Sequence, residues 1–248
     1  MTPILTFELQ TVPDIAGLRT LHGLDTRISD HEVAEMVFQT RRQQTGSDAM
    51  PPHLQRVVAI ACTLQHGEHF KVWSLGESDE DEGHLIQRFF DGIAKYSPQL
   101  VSRQGSRALS VLHYRGLIHA VQCQRYWEMR ASEVKLSHAA RYLDLMDLLA
   151  LQQTHLSLDE LAQLIGLPGK QGLDDRAVWT AYQNGQHADI RHTCETDVLN
   201  TTLLFARFQL MCGVLSRETY QQSCERIRSA LQKLDQPHLN AYLAAWSA

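Results

Sequence analysis

Apolar and polar residues change rhythm along this chain. Near the start, ILTFEL is a short apolar run, and its spacing predicts a strand over 4–10. Residues 29–40 set Val33, Met36 and Val37 on one side of a helix, while the polar stretch RRQQTGSDAMPPH (41–53) reads as a mobile loop. RVVAIACTL and HFKVWSL are apolar runs rich in strand formers on either side of His66-Gly67, which predicts a hairpin of strands 57–64 and 69–75. Leu85, Ile86, Phe89, Phe90 and Ile93 recur at helical spacing until Pro98 stops them. A short fourth strand, Gln99 to Ser102, leads into the helix SRALSVLHYRGLIHAV.

From about Tyr142 nearly everything reads as helix, through to the closing HLNAYLAAW. The order βββαβα followed by helices predicts an α/β fold, a mixed sheet with helices on both faces and a C-terminal helical extension. We divide the chain at 212: residues 1–212 form the domain and 213–248 the extension packed on it.

Composition narrows this little: 44% hydrophobic and 21% charged residues are ordinary for a globular protein. No apolar run approaches the length of a bilayer-spanning helix, and MTPILTFELQ lacks a basic n-region, so a cytoplasmic protein is expected. Five scattered cysteines without a CxxC pair predict neither a zinc knuckle nor a disulfide framework. The net charge of -5 argues against general coating by nucleic acid but leaves room for a local basic groove. ESDEDE (77–82) reads as a solvated acidic loop; from Val101 to Arg141 seven basic residues face only Glu128 and Glu133.

One detail of the first strand draws attention. Glu8 and Gln10 lie two apart, so a carboxylate and its neutral near-copy share one face. On an ordinary strand end both would face solvent. Asp197, in TCETD, would be an exposed helical residue, and His192 one surface histidine among 13. Trp127, Trp179 and Trp246 read as core or cap anchors. GLPGKQG lacks the spacing of a phosphate-binding loop and reads as a turn between helices. Asp144 and Asp147 sit at i, i+3 of a helix, one of them capping or pairing with an arginine.

The stretches TFELQTVPD, LSVLHYRGLIH, YLDLMDLLAL, LIGLPGKQGLDD and CETDVLNTTLLFARFQL, with the tail YLAAW, resemble the DnaQ-like, polymerase-B-like predicted 3′–5′ exonucleases. That resemblance implies a ribonuclease H-like fold and a hydrolase acting on phosphodiester bonds. Such enzymes bind two Mg²⁺ or Mn²⁺ ions, one generating hydroxide and the other stabilising the leaving oxygen. Four carboxylates hold the pair: an Asp-x-Glu on the first strand, an Asp after an Asn-Gly turn, and an Asp on a late helix four residues after a Tyr.

Carried over residue by residue, the pattern breaks. The strand pair falls on Glu8 and Gln10, the turn Asn on Gln104 beside Gly105, and the turn Asp on or next to Ala108. The late Asp is kept as Asp197, while the Tyr falls on Thr193, next to His192. Glu8 keeps its charge, but its extra methylene moves the oxygens outward by roughly 1.5 Å. Two monoanions hold two dications poorly, so the expectation is no tightly bound cofactor and at most one weak Mg²⁺ or Mn²⁺ on Glu8 and Asp197. Arg103, Gln104, Arg107 and Arg115 are the expected nucleic-acid contacts, the arginines neutralising phosphate without cleaving it.

The leading reading is therefore a pseudo-exonuclease that binds single-stranded nucleic acid. One alternative is an active nuclease with a reduced site and His192 as base. Another is a scaffold for a protein partner, met through loops 41–53 and 77–82.

Overall fold

A computed structural model describes residues 2–131, 141–150 and 158–247. The chain opens with strand β1 (Ile4–Pro13), helix α1 (Ile15–His22) and helix α2 (Asp30–Thr45). A single 3-10 turn, Pro52–Leu54, precedes the hairpin of β2 (Gln55–His66) and β3 (His69–Leu75). Then follow α3 (Glu82–Tyr96), β4 (Gln99–Ser102), α4 (Gly105–Ile118) and α5 (Gln124–Ala131). A short strand β5 (Tyr142–Asp144) leads into α6 (Leu145–Ala150) and α7 (Leu158–Leu164). Four more helices complete the described chain: α8 (Asp175–Gln183), α9 (His187–Met211), α10 (Arg217–Leu234) and α11 (Pro237–Ala245).

The five strands form one mixed sheet in the order β3-β2-β1-β4-β5. β1 runs antiparallel to β2 and parallel to β4; β4 and β5 are parallel. β1 is thus central and covered on both faces, which is why its apolar residues run nearly unbroken. Leu5 and Phe7 point into a core with Phe89 and Ile93 of α3 and Leu109 and Leu112 of α4. Residues of the opposite face meet α9, whose Val198, Leu199 and Leu203 are fully buried. α9 buries side chains all round its axis between Ile190 and Ala206, as a helix held between a sheet and other helices must. Ile227, Leu231, Leu239, Tyr242 and Trp246 of the C-terminal helices enter this same core. The architecture is the expected ribonuclease H-like α/β arrangement, a mixed sheet flanked by helices.

Several local expectations need correction. The stretch 41–53 begins as helix, because α2 runs to Thr45 between a Ser29–Glu32 capping box and a left-handed Gly46. Its outer face is polar, so apolar periodicity could not reveal that extension. α1, capped by the Asp14 carboxylate on Gly17 N–H, was not anticipated at all. Tyr142–Asp144 is strand rather than helix, paired with Leu100–Ser102, and three residues are too few to show a period of two.

Part of the acidic run 77–82 is built into the fold, while Glu77, Ser78, Asp79 and Asp81 stay exposed. Glu80 accepts from Gly76 N–H and pairs with Arg88, Asp81 caps α3, and Glu82 is buried. Among the described residues no helix is long and apolar enough to cross a membrane.

Candidate functional site

Glu8 and Gln10 do share a face, and it is the inner one. Even-numbered residues of β1 look toward α9, whose Asp197 and Thr201 stand one turn apart and face back. Glu8 Oε1 accepts from Thr201 Oγ1 at 2.6 Å and from the Arg103 backbone N–H at 3.1 Å. Gln10 Nε2 donates to Asp197 Oδ2 at 3.0 Å. All four side chains, Glu8, Gln10, Asp197 and Thr201, are buried. The Gln10 amide has to present its NH₂ here, since the flipped form would set two oxygens against each other.

A cation completes the cluster. Lys170 Nζ lies 3.3 Å from Asp197 Oδ2, the oxygen that also takes the Gln10 proton. The loop carrying Lys170 is tied down at several points. Asp159 accepts from Lys170 N–H, and Asn200 Nδ2 donates to Gly169 O while its Oδ1 accepts from Tyr242 OH at 2.8 Å. Thr196 Oγ1 donates to Gln171 O at 3.0 Å. Thr193 Oγ1 accepts from Leu173 N–H at 3.1 Å, so the residue at the Tyr position anchors the loop. Gly172 has φ +106°, and a Cβ there would lie 2.6 Å from Thr193 Oγ1, which restricts the position to glycine.

Burial pushes the Glu8 carboxyl above its ordinary range by stripping its water. The Arg103 charge and the Thr201 hydroxyl oppose that rise, while the Asp197 charge adds to it.

These donors do not fit a pair of divalent cations. Such ions need several anionic oxygens aimed at a shared point. Glu8 spends one oxygen on two protein donors, Gln10 offers N–H rather than oxygen, and an ammonium already faces Asp197. Among the described residues no group of three or more His, Cys, Asp or Glu side chains is placed to hold a metal ion.

Beside this cluster lies a cavity of about 340 Å³, lined by Glu8, Gln10, Arg103, Gln104, Arg107 and Trp179, among others. Gln104 stands at the N-cap of α4, and its side chain makes no capping bond. Ala108 lines the cavity one turn further on, where the resemblance places an Asp. The carboxylate serving this helix start comes from β5 instead: Asp144 Oδ2 accepts from Ser106 N–H at 2.8 Å, and Oδ1 from Met146 N–H at 2.9 Å. Gly105 is held to glycine by crowding, since a Cβ there would overlap Tyr142 OH.

Two expected site residues are elsewhere. Arg115 is buried, its guanidinium bonded to Asp14 Oδ2 at 2.5 Å and to both Glu82 oxygens at 2.5 and 2.8 Å. It therefore knits β1, α3 and α4 together and does not meet a polyanion. His192 lines a separate cavity with Ser74, Glu195 and His238, its ring stacked on His238 at 3.9 Å. It is not brought to Glu8, and no role as a base follows from its place. Elsewhere in the basic stretch, Arg125 pairs with Glu128 and Arg130 donates to Tyr126 OH; Lys135 lies outside the described residues.

Sequence reading missed Thr201 and Lys170. Thr201 carried a signal, the i+4 spacing from Asp197. Lys170 stands in the stretch LIGLPGKQGLDD, but nothing in its spacing shows that this loop meets the motif helix.

Residues 47–246 match the family described as predicted 3′–5′ exonucleases related to the exonuclease domain of PolB. No curated protein matches the chain. The matched segment holds Arg103, Lys170 and Asp197, whereas Glu8 and Gln10 precede it. With most of its length covered and the mixed sheet in place, the chain belongs to this family of predicted 3′–5′ exonucleases related to the exonuclease domain of PolB.

Proposed function

We propose that this family member binds single-stranded nucleic acid in the cleft between β1 and the start of α4, and does not hydrolyse it by the two-metal route. The observation that carries the proposal is the environment of Asp197, whose carboxylate is met by the Gln10 amide and the Lys170 ammonium. The Lys170 ammonium supplies, within the protein, one positive charge where a metal pair would bring several, and the Gln10 amide adds a neutral N–H. A single Mg²⁺ or Mn²⁺ on Glu8 and Asp197 would stand against the Lys170 ammonium, so no tight cofactor belongs to this reading. Arg103 and Arg107, beside the cluster, supply cations for phosphate.

The experiment is an oligonucleotide assay with labelled single-stranded DNA and RNA, run in EDTA and in Mn²⁺. We expect binding in EDTA that weakens steeply with salt, and no shortening in Mn²⁺. Shortening from the 3′ end that Asp197→Asn abolishes would overturn the loss of hydrolysis. No binding at low salt would overturn the nucleic-acid partner and leave a protein partner as the reading to pursue.

A further inference from the structure

The sheet ends at β3, and the groove beside that strand points to a partner of a different kind. One edge of β3 is spent on β2 from His69 to Leu75, and among the described residues no strand lies on the other edge. In an antiparallel pair every second residue turns its N–H and C=O toward the partner strand, so the remaining residues turn theirs outward. Such an outward row of donors and acceptors is a template for another extended chain.

A groove of about 690 Å³ runs along that edge. Its lining includes four consecutive β3 residues, His69 to Val72. Successive strand residues point to opposite faces of a sheet, so a groove that meets all four follows the backbone edge and not one face. The other wall is one side of α10, where Gln222, Arg226, Ser229 and Lys233 recur at helical spacing. The edge is therefore flanked by a helix but not paired.

Charge decides what fits there. Arg226 and Glu68 neutralise each other at 2.6 Å. Lys71 and Lys233 are exposed and have no carboxylate partner among the described residues; Lys71 Nζ lies 5.4 Å from the centre of the Trp73 ring. Glu225 is the one acid of the lining with no cation partner among the described residues, so the groove carries an excess of positive charge. A second copy of β3 would set its own Lys71 against these lysines, and a lysine in the middle of an edge strand works against such self-pairing. A nucleic acid would meet the lysines but has no amide ladder to match the backbone row.

We propose that the β3 edge takes an extended, acidic polypeptide segment as an added strand, with Lys71 and Lys233 meeting its carboxylates. Neither 41–53 nor 77–82 lines this groove, and the proposal stands apart from whatever the cleft beside β1 binds.

Fluorescence anisotropy tests it with a labelled peptide of seven residues, the length of β3, in which Glu and Val alternate. The controls are the same peptide with Lys in place of Glu, and the acidic peptide with N-methylated backbone amides. The acidic peptide should bind at least about tenfold more tightly than either control. At saturation, hydrogen exchange should slow at the amides of His69–Leu75 and not in the other strands. Combining Lys71→Glu with Lys233→Glu, both at exposed positions, should reverse the preference toward the Lys peptide. Failure of the acidic peptide to bind, binding that survives N-methylation, or a charge preference unchanged in the double variant overturns the proposal. So does displacement of the peptide by a single-stranded oligonucleotide, or a dimer in sedimentation that protects the same amides.

Discussion

Two buried charge clusters sit on either side of the central strand, and they are built in opposite ways. At the end of β1, Arg115 is clamped between Asp14 and Glu82, with His119 Nε2 2.9 Å from Glu82 and Val57 N–H donating to Glu82 at 2.7 Å. Burial disfavours the charge of Asp14, but the Arg115 guanidinium and the Gly17 N–H outweigh it and hold the carboxyl below its usual range. The Arg115 pKa is driven up in turn; burial opposes this, and Glu82 and Asp14 more than compensate. In the α9-facing cluster the balance reverses, and burial leaves Glu8 raised.

A buried acid with a dedicated guanidinium is a structural fastening. A buried acid with only a hydroxyl, an amide N–H and a more distant charge stands in a pocket that gives it too little compensation. The first cluster is a finished ion network. The second is an anionic centre met by a hydroxyl, an amide and an ammonium of the chain itself.

The largest effect should come from removing the cation of the finished network. Arg115→Ala leaves the buried Glu82 and the half-buried Asp14 without their partner and should cost about 3–5 kcal/mol, read by urea denaturation. A cost below about 1 kcal/mol would mean that the clamp is not the fastening described.

Next comes the Asp197 cluster. A double-mutant cycle of Lys170→Met and Asp197→Asn should give a coupling of about 1 kcal/mol, smaller because Lys170 reaches solvent. A coupling indistinguishable from zero would remove the internal cation from the account.

The smallest effect is a pH dependence. A raised Glu8 pKa means the folded state holds the proton more tightly than the unfolded one. Its contribution is complete below the ordinary carboxylate range and is lost as pH rises through the raised value. Glu8→Gln keeps an oxygen for Thr201 and Arg103 but has no charge to bury. It should match the wild type at low pH and exceed it at neutral pH, measured by thermal melts across that range. Equal stability at neutral pH would show that the pocket solvates the carboxylate better than its burial implies.

Much of the frame was legible beforehand. The stripe from Leu85 to Ile93 follows from local periodicity, because one face of α3 lies in a core and the other outside, while the hairpin and β4 follow from short apolar runs bounded by turn residues. The strand Tyr142–Asp144 escaped notice because its pairing with β4 is a contact between distant segments. α2 past Thr40 escaped because its stability lies in caps and exposed polar residues. In the site, Glu8, Gln10 and Asp197 were legible as a group only through the family pattern. Arg115 was misread because charge counted along a sequence says nothing about which carboxylates fold against it.

The sequence by itself determined the early strands, most of the helices and the family. These are properties of spacing and residue type. Only the tertiary structure decided that Lys170 faces Asp197 and that Arg115 is spent inside. The physical reason is that electrostatic partners are chosen by distances of a few ångströms across elements far apart in the chain, and no local pattern encodes that distance.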